Sequence, residues 1–171
     1  MKRSDCAAAR AVHAKDPETR DHRAMEIRPL TDTDVDTVIR VWTETKRDTY
    51  GFIELERSYT EADDAAFFRG HILPRCTIWI AVEDGAVLGF AALVGSYLDR
   101  LYVRPAAQRR GVGASLLARA IEASPDGLEL HTHVENFKAR AFYEKMGFVP
   151  VHFGISPPPE SLPDVEYQWR P

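Results

Sequence analysis

Two spacings of apolar residues divide the chain beyond residue 24 into strand-like and helical stretches. Alternating or continuous short apolar runs predict strands at 26–30, 77–83, 87–94, 97–103, 128–133, 148–153 and 165–169. Apolar positions three and four residues apart predict helices at 31–47, 60–70, 112–121 and 136–146. The order β-α-α-β-β-β-α-β-α-β-β predicts an α/β domain with a mixed central sheet of about seven strands and helices on both faces.

Turn and capping residues define several boundaries between these elements. Thr-x-x-Asp patterns at 31–34 and 60–63 are typical of a capping box at the start of a helix. The Asp-Gly pair at 84–85 predicts a tight hairpin turn, and Gly147 predicts a left-handed cap at the end of the last helix. Because three consecutive prolines disfavour regular structure, we expect 154–163 to form an extended loop.

Residues 1–24 differ in composition from the rest of the chain. They contain six basic and four acidic residues, no aromatic residue and few branched aliphatic ones. Such a segment can bury little apolar surface, so we expect a flexible extension outside a folded domain of residues 25–171. Arg10 interrupts the short alanine run, so the apolar segment of a secretory signal is missing. Met25 directly precedes the first strand and is a candidate translation start.

Charge and cysteine content narrow the classes of function. The net charge of −4 disfavours general binding to nucleic acid. The longest apolar run, 86–94, is too short to span a bilayer, so we expect no membrane partner. Cys6 and Cys76 lack the spacing of a metal or redox motif, which predicts a reduced, cytoplasmic setting.

The stretch from 101 to 117 contains the strongest candidate for a ligand site. A short strand ends before Pro105, and a basic turn then leads into two glycines, Gly111 and Gly113, at the start of a helix. Free backbone N–H groups and the helix dipole favour a phosphate at such a position, and glycine permits close approach. Two arginines in the turn can add charge-assisted hydrogen bonds. A corner that uses its glycines only for packing is the alternative.

Two common phosphate-binding motifs do not match this stretch. A Walker loop requires Gly-Lys-Ser/Thr, whereas 113–115 reads Gly-Ala-Ser. The dinucleotide fingerprint requires a third small residue where the chain has Leu116. Its first glycine also follows the strand closely, whereas Gly111 lies eight residues beyond Val103. A dinucleotide-dependent oxidoreductase is therefore disfavoured.

Two motifs together resemble the GNAT superfamily of acyl-CoA N-acyltransferases. Gln108-x-x-Gly111-x-Gly113 resembles the turn that holds the pyrophosphate of coenzyme A in that family. Residues 136–148 resemble the family pattern Asn-x-x-Ala-x-x-x-Tyr-x-x-x-Gly-Phe at every fixed position. The resemblance covers about 26–169. It implies a single-domain GNAT fold and an N-acetyltransferase with acetyl-CoA as acyl donor, in which a primary amine attacks the thioester directly in a ternary complex.

The resemblance also implies which residues bind the cofactor. The strand backbone at 101–103 would pair with pantetheine and stabilise the acetyl oxygen. Asn136 and Tyr143 lie on one helical face, about 10 Å apart along the axis, and would meet the pantetheine arm and the sulfur. A helix N-cap is an alternative or additional role for Asn136, and a core position is an alternative for Tyr143. The implied cofactor-binding residues are Leu101, Tyr102, Val103, Gln108, Arg109, Arg110, Gly111, Val112, Gly113, Ala114, Asn136 and Tyr143.

The implied reaction needs an acid for the leaving thiolate and a base for the attacking amine. Tyr143 is the expected acid, since an ordinary tyrosine pKa near 10 keeps its hydroxyl protonated at neutral pH. Some GNAT enzymes place a glutamate base at a position that falls on Tyr97 here. Asp99 is the nearest carboxylate and our candidate base, with a surface ion pair as its alternative role. Glu135, His131 and ordered water are further candidates.

The sequence leaves the acceptor amine open among small molecules, peptide N-termini and lysine side chains. The resemblance places the acceptor between the loop at 50–52 and the prolines at 157–159. His131 and His133 share a strand face but lack a third ligand, so we expect no metal. The alternative function is a non-catalytic acyl-CoA-binding sensor or interaction module. A homodimer formed through the late strands is consistent with the resemblance.

Overall fold

A seven-stranded sheet forms the centre of the computed structural model, which describes residues 24–51 and 53–171. The strands are β1 (Glu26–Pro29), β2 (Thr77–Glu83), β3 (Ala86–Val94), β4 (Tyr97–Val103), β5 (Leu128–His133), β6 (Val149–Ile155) and β7 (Pro163–Trp169). The helices are α1 (Val35–Tyr50), α2 (Glu54–Ser58), α3 (Glu61–Phe67), α4 (Val112–Ala123) and α5 (Phe137–Lys145). The predicted N-terminal extension, apart from Ala24, lies outside the described residues.

The sheet is mixed, as predicted. Its strand order is β1-β2-β3-β4-β5-β7-β6. The β4–β5 pair is parallel, whereas the other neighbouring strands are antiparallel. None of the helices in the described part of the chain has the length and apolar character needed to cross a membrane.

Helices cover both faces of the sheet and enclose two hydrophobic clusters. On one face, α4 and α5 contribute Leu116, Leu117 and Tyr143 to a cluster with the central strands. On the other face, α1 contributes Val38, which packs with Phe68 and the opposite side of the same strands. Burial on both faces explains why β2 and β3 are apolar at nearly every position.

The helix caps and the hairpin turn predicted from short stretches of sequence are present in the structure. The side-chain and backbone bonds of a capping box are present at both Thr31–Asp34 and Thr60–Asp63. Asp84 and Gly85 both have positive φ, at 50° and 77°, as a two-residue hairpin turn requires. Gly147 follows α5 with φ of 89°.

Besides the continuation of α1 to Tyr50, two regions differ from the prediction. The short helix α2 was not predicted. It is held in place by the ion pair between Glu56 and Lys46 of α1, at 3.1 Å. The predicted loop at 154–163 is shorter, because Gly154 and Ile155 continue β6 and pair with the start of β7. Proline is tolerated there because Pro163 is the first residue of its strand.

Candidate active site

The sheet opens between β4 and β5. The only residues paired across these strands are Tyr97 and Glu129, at the beginning of both. Just beyond this pair, Ala92 of β3 lies opposite Arg100 while Leu93 lies opposite Leu98, which leaves Asp99 as an extra residue in β4. A bulge of this kind bends a strand and increases its twist. The opening therefore begins at the bulge.

The backbone of β4 directs polar groups into this opening. The Arg104 N–H donates to the Leu88 carbonyl of β3 at 2.8 Å. Alternate residues of an antiparallel strand face the same neighbour, so Leu101 and Val103 direct their N–H and C=O groups away from β3. The Gln108 side chain donates to the Val103 carbonyl at 3.1 Å. This orientation fits the roles predicted for Leu101 and Val103, whereas the Tyr102 backbone faces β3.

The turn after β4 presents free N–H groups at the start of α4. Gly111 is the N-cap of this helix, with φ of 88°, a conformation that side chains other than glycine rarely adopt. The Ser115 N–H donates to the Gly111 carbonyl at 3.0 Å. The preceding N–H groups, at 112–114, have no helical acceptor and lie at the positive end of the helix dipole. This arrangement fits a phosphate group.

The two arginines of the turn have different surroundings. Arg110 forms an ion pair with Glu83 at 2.5 Å. Arg109 is exposed, with a positive φ of 60°, and forms no ion pair within the described ranges. Arg109 is thus the better placed of the two arginines to contact an anion. At Gly113, a Cβ atom would lie 3.5 Å from the Phe142 ring, an ordinary contact distance.

Tyr143 of α5 lies in the cluster beneath the opening. Only 8% of the residue is exposed, and its ring packs against Phe148 and Tyr167. Burial raises the pKa of the Tyr143 hydroxyl well above its ordinary value, and neighbouring tyrosines including Tyr50 raise it further. The hydroxyl therefore stays protonated at neutral pH, as the predicted acid must.

Asn136 connects α5 to α1 across the opening. Its Oδ1 accepts from the Ala139 N–H at 3.1 Å, so it is the N-cap of α5. Its Nδ2 donates to the Tyr50 hydroxyl at 3.0 Å. Tyr50 is the last residue of α1, where a loop was predicted. The sequence indicated Tyr50 only as part of a loop beside the acceptor, and its contact with Asn136 was not predicted. Burial also raises the pKa of the Tyr50 hydroxyl.

The candidate bases lie in different environments. The Asp99 carboxylate is 3.3 Å from Arg100 Nη1, and 19% of its side chain is exposed. His131 Nδ1 lies 3.0 Å from Asp164 Oδ1. Glu135 lines a cavity beside the opening. The described residues contain no group of three or more His, Cys, Asp or Glu side chains that could hold a metal ion.

This cavity has a volume of about 250 Å³, and neither the loop at 50–52 nor the prolines at 157–159 contribute to its lining. Its wall is formed by the start of α2, the end of β5 and the segment leading into β7. The lining residues are Ile53, Glu54, His133, Glu135, Leu162 and Pro163. Two carboxylates, an imidazole and several apolar side chains therefore surround the cavity.

Comparison with known families now identifies the fold. A model of the Acetyltransferase (GNAT) family matches residues 38–148. The chain belongs to this family. The predicted family and fold are thereby confirmed.

Several relatives of the chain are named as N-acetyltransferases. The peptidyl-lysine N-acetyltransferase YjaB of Escherichia coli is 30% identical over 112 residues, which cover 65% of this chain and 73% of that protein. YjaB of Salmonella typhimurium is 36% identical over 77 residues, 44% of this chain and about half, 52%, of that protein. The peptidyl-lysine N-acetyltransferase YiaC of E. coli is 29% identical over 123 residues, 71% of this chain and 82% of that protein.

Solved structures share the fold at low sequence identity. The solution structure of apo YjaB from E. coli has a TM-score of 0.71 and 23% identity, covering 84% of this chain and 96% of that chain. The structure of YncA from S. typhimurium with acetyl-CoA has a TM-score of 0.65 and 18% identity, covering 86% and 94%. These similarities confirm the GNAT architecture.

Proposed function

We propose that this GNAT acetyltransferase moves the acetyl group of acetyl-CoA to the side-chain amine of lysine in a peptide or protein. The observation that carries the proposal is the opening between β4 and β5, together with the free N–H groups at 112–114 and a cavity lined by Glu54 and Glu135. The names of the YjaB and YiaC relatives support an enzyme that acts on peptidyl lysine, and they do not favour the non-catalytic alternative.

The residues around the opening divide the work of the reaction. The N–H groups at 112–114 and the Arg109 guanidinium would hold the pyrophosphate. The Leu101 N–H would donate to the acetyl oxygen as negative charge develops on it. Tyr143 would give its proton to the leaving sulfur. Bound acetyl-CoA supplies an acetyl group activated as a thioester.

The cavity favours a cationic acceptor. Glu54 and Glu135 line it, and Glu160 lies next to His133 at its edge. Carboxylates at these positions attract an ammonium group. The apolar lining from Ile53 and Leu162 suits the methylene stem of a lysine. This combination supports lysine over an uncharged amine acceptor.

A peptide assay tests the acceptor class. The full chain is mixed with acetyl-CoA and either an Nα-acetylated peptide with one lysine or a lysine-free peptide with a free N-terminus, and CoA release is followed. We expect turnover with the lysine peptide. Turnover only with the free N-terminus would contradict the lysine assignment, and absence of acetyl-CoA binding by calorimetry would contradict the acetyltransferase site.

Tyr143→Phe tests the predicted acid. Because general acid catalysis contributes about 10²-fold or more, we expect kcat to fall by at least that factor while acetyl-CoA affinity stays within a few-fold. Tyr59→Phe, which changes a tyrosine stacked on Lys46 away from the opening, is the matched control and should retain activity. A Tyr143→Phe enzyme with wild-type kcat would refute the assignment.

A further inference from the structure

We propose that the second half of β6 is an interface at which a second copy of this chain pairs, antiparallel and about a two-fold axis at Gly154. The paired segment is 152–156, and the sheets of the two copies join there into one. This segment contributes no residue to the lining of the cavity. The sequence did not indicate which strand would pair or in which register.

Strand β6 is one of the two edges of the sheet. It follows β7 at the end of the strand order, and no strand among residues 24–51 and 53–171 pairs with its outer side. The other edge, β1, has only four residues, of which Glu26 and Arg28 are charged and Pro29 is a proline. Short length, charge and proline all discourage pairing with another chain. The β1 edge is therefore protected.

The two halves of β6 differ in this protection. Pro150 lacks an N–H group, and the register with β7 shifts between Pro150 and His152, which bends the first half of the strand. After this shift, 152–156 reads His-Phe-Gly-Ile-Ser, without proline, lysine, arginine or an acidic residue. Phe153 and Ile155 are 57% and 66% exposed. An uncharged apolar edge of this kind favours pairing with another strand.

The backbone bonds show which groups of this segment face outward. The Ser156 N–H donates to the Leu162 carbonyl, on the side of β7, at 2.8 Å. Successive residues of a strand direct their N–H and C=O groups to opposite sides, so Gly154 also faces β7. Phe153 and Ile155 therefore direct their backbone donors and acceptors to the free edge.

A two-fold axis at Gly154 matches these groups with their own copies. In an antiparallel pair centred there, Phe153 lies opposite Ile155 of the second copy, and the two residues exchange both backbone hydrogen bonds. The symmetry repeats this pair on the other side of the axis. Gly154 meets Gly154 of the second copy at the position where paired backbones lie closest, and neither has a side chain that hinders the approach.

The side chains also match in this register. Phe153 lies opposite Val165, which is buried in the cluster beneath α4 and α5, so Phe153 and Ile155 project to that face of the sheet. The Arg140 side chain of α5 lies 5.9 Å from the centre of the Phe153 ring. Pairing places each exposed phenylalanine against an exposed isoleucine of the other copy. A second copy supplies the apolar, glycine and polar positions in matching order, which favours it over an unrelated strand.

Sedimentation of the full chain at micromolar concentrations measures the dimer, and two single variants test the interface. Phe153→Glu and Ile155→Lys each place a charge against an apolar side chain at both symmetric pairs. We expect each variant to raise the Kd of the dimer by at least about tenfold, because each changes both pairs. Phe67→Glu is the matched control at the end of α3, where Phe67 is 43% exposed, and it should dimerise like wild type.

Mixing the two variants tests the register itself. In a mixed dimer the new carboxylate lies opposite the new ammonium group, while the second pair keeps its phenylalanine and isoleucine. We expect the mixture to form a one-to-one dimer with a Kd at least about tenfold lower than that of either variant alone. No other register of the two strands places these two substitutions opposite each other while leaving the second pair unchanged.

Three results would overturn the proposal. A wild-type chain that stays monomeric at all of these concentrations would exclude a second copy as the partner of β6. Single variants that dimerise as well as Phe67→Glu would place the dimer interface elsewhere. Folded single variants that remain monomeric when mixed would contradict the two-fold axis at Gly154. Circular dichroism shows that the variants are folded, as expected for substitutions at exposed side chains.

Discussion

Lys46 holds the acceptor side of the domain together through a buried ion-pair network. Its Nζ lies 2.5 Å from Asp64 Oδ1 and 3.1 Å from Glu56 Oε2, and the Thr43 hydroxyl donates to the other oxygen of Asp64 at 2.9 Å. Lys46 and Asp64 are only 6% and 3% exposed. These contacts fix α2 and α3 against α1, and α2 contributes Glu54 to the acceptor cavity.

Lys46→Met should destabilise the fold strongly. Methionine fills much of the lysine volume, so the main loss is the charge that compensates Asp64. Removing one partner of a buried ion pair leaves the other charge uncompensated, at a cost of about 3–5 kcal/mol. For a domain of this size about 1 kcal/mol corresponds to a Tm shift of about 2–4 °C, so we expect Tm to fall by about 6–20 °C.

Thermal and urea unfolding of three variants test this reasoning. The double variant Lys46→Met/Asp64→Leu should recover most of the lost stability, because a buried ion pair replaced by apolar side chains is often neutral in stability. Arg69→Met, which removes an exposed ion pair with Asp36, is the control and should change the free energy of unfolding by at most about 1 kcal/mol. If Lys46→Met loses no more than this control, the network does not stabilise the fold.

Two further substitutions test the turn at Gly111 and the ion pair between Asp34 and Arg28 of β1. Gly111→Ala places a side chain at φ of 88°, so it should lower stability by about 1–2 kcal/mol and weaken acetyl-CoA binding, as measured by unfolding and calorimetry. Asp34→Asn removes a carboxylate whose pKa is held well below its usual range. The main cause of this low pKa is the pair of hydrogen bonds from the Arg28 guanidinium. The ionised form is the one stabilised by folding, so the difference in Tm from wild type should be full at pH 7 and shrink below about pH 4. A Tm difference that does not depend on pH would contradict this account.

Much of the fold was predictable because short stretches of sequence fix it. The capping boxes, the Asp84-Gly85 hairpin and the glycine at the start of α4 depend on interactions within a few residues. The strands were predictable because their apolar positions follow the burial of one or both sheet faces. The family motifs predicted a cofactor site at the turn before α4 by the same kind of local pattern.

The surroundings of the candidate site depend on contacts between distant segments. His133 lies beside Glu160 in the β6–β7 loop and Tyr50 at the end of α1, and no local pattern connects these positions. Asp99 was chosen as the nearest carboxylate in the sequence, and the bulge makes it the one residue of β4 without a partner in the pairing with β3. The helix α2 has only five residues, too few for a helical spacing of apolar positions to be recognised. Its contact with α1 comes from the ion pair between Glu56 and Lys46.

The topology explains why the turn after β4 was predictable from the sequence while the surroundings of the cavity were not. Between parallel strands a crossover helix begins at the carboxyl end of the first strand, so β4, the turn and α4 must meet at the opening in chain order. The acceptor cavity instead combines the start of α2, the end of β5 and the segment before β7, which are far apart in sequence. Changes at Glu54 or Glu135 therefore alter the charge of the cavity without touching the turn at Gly111. In the proposed enzyme, this separation would let one cofactor site serve different amines.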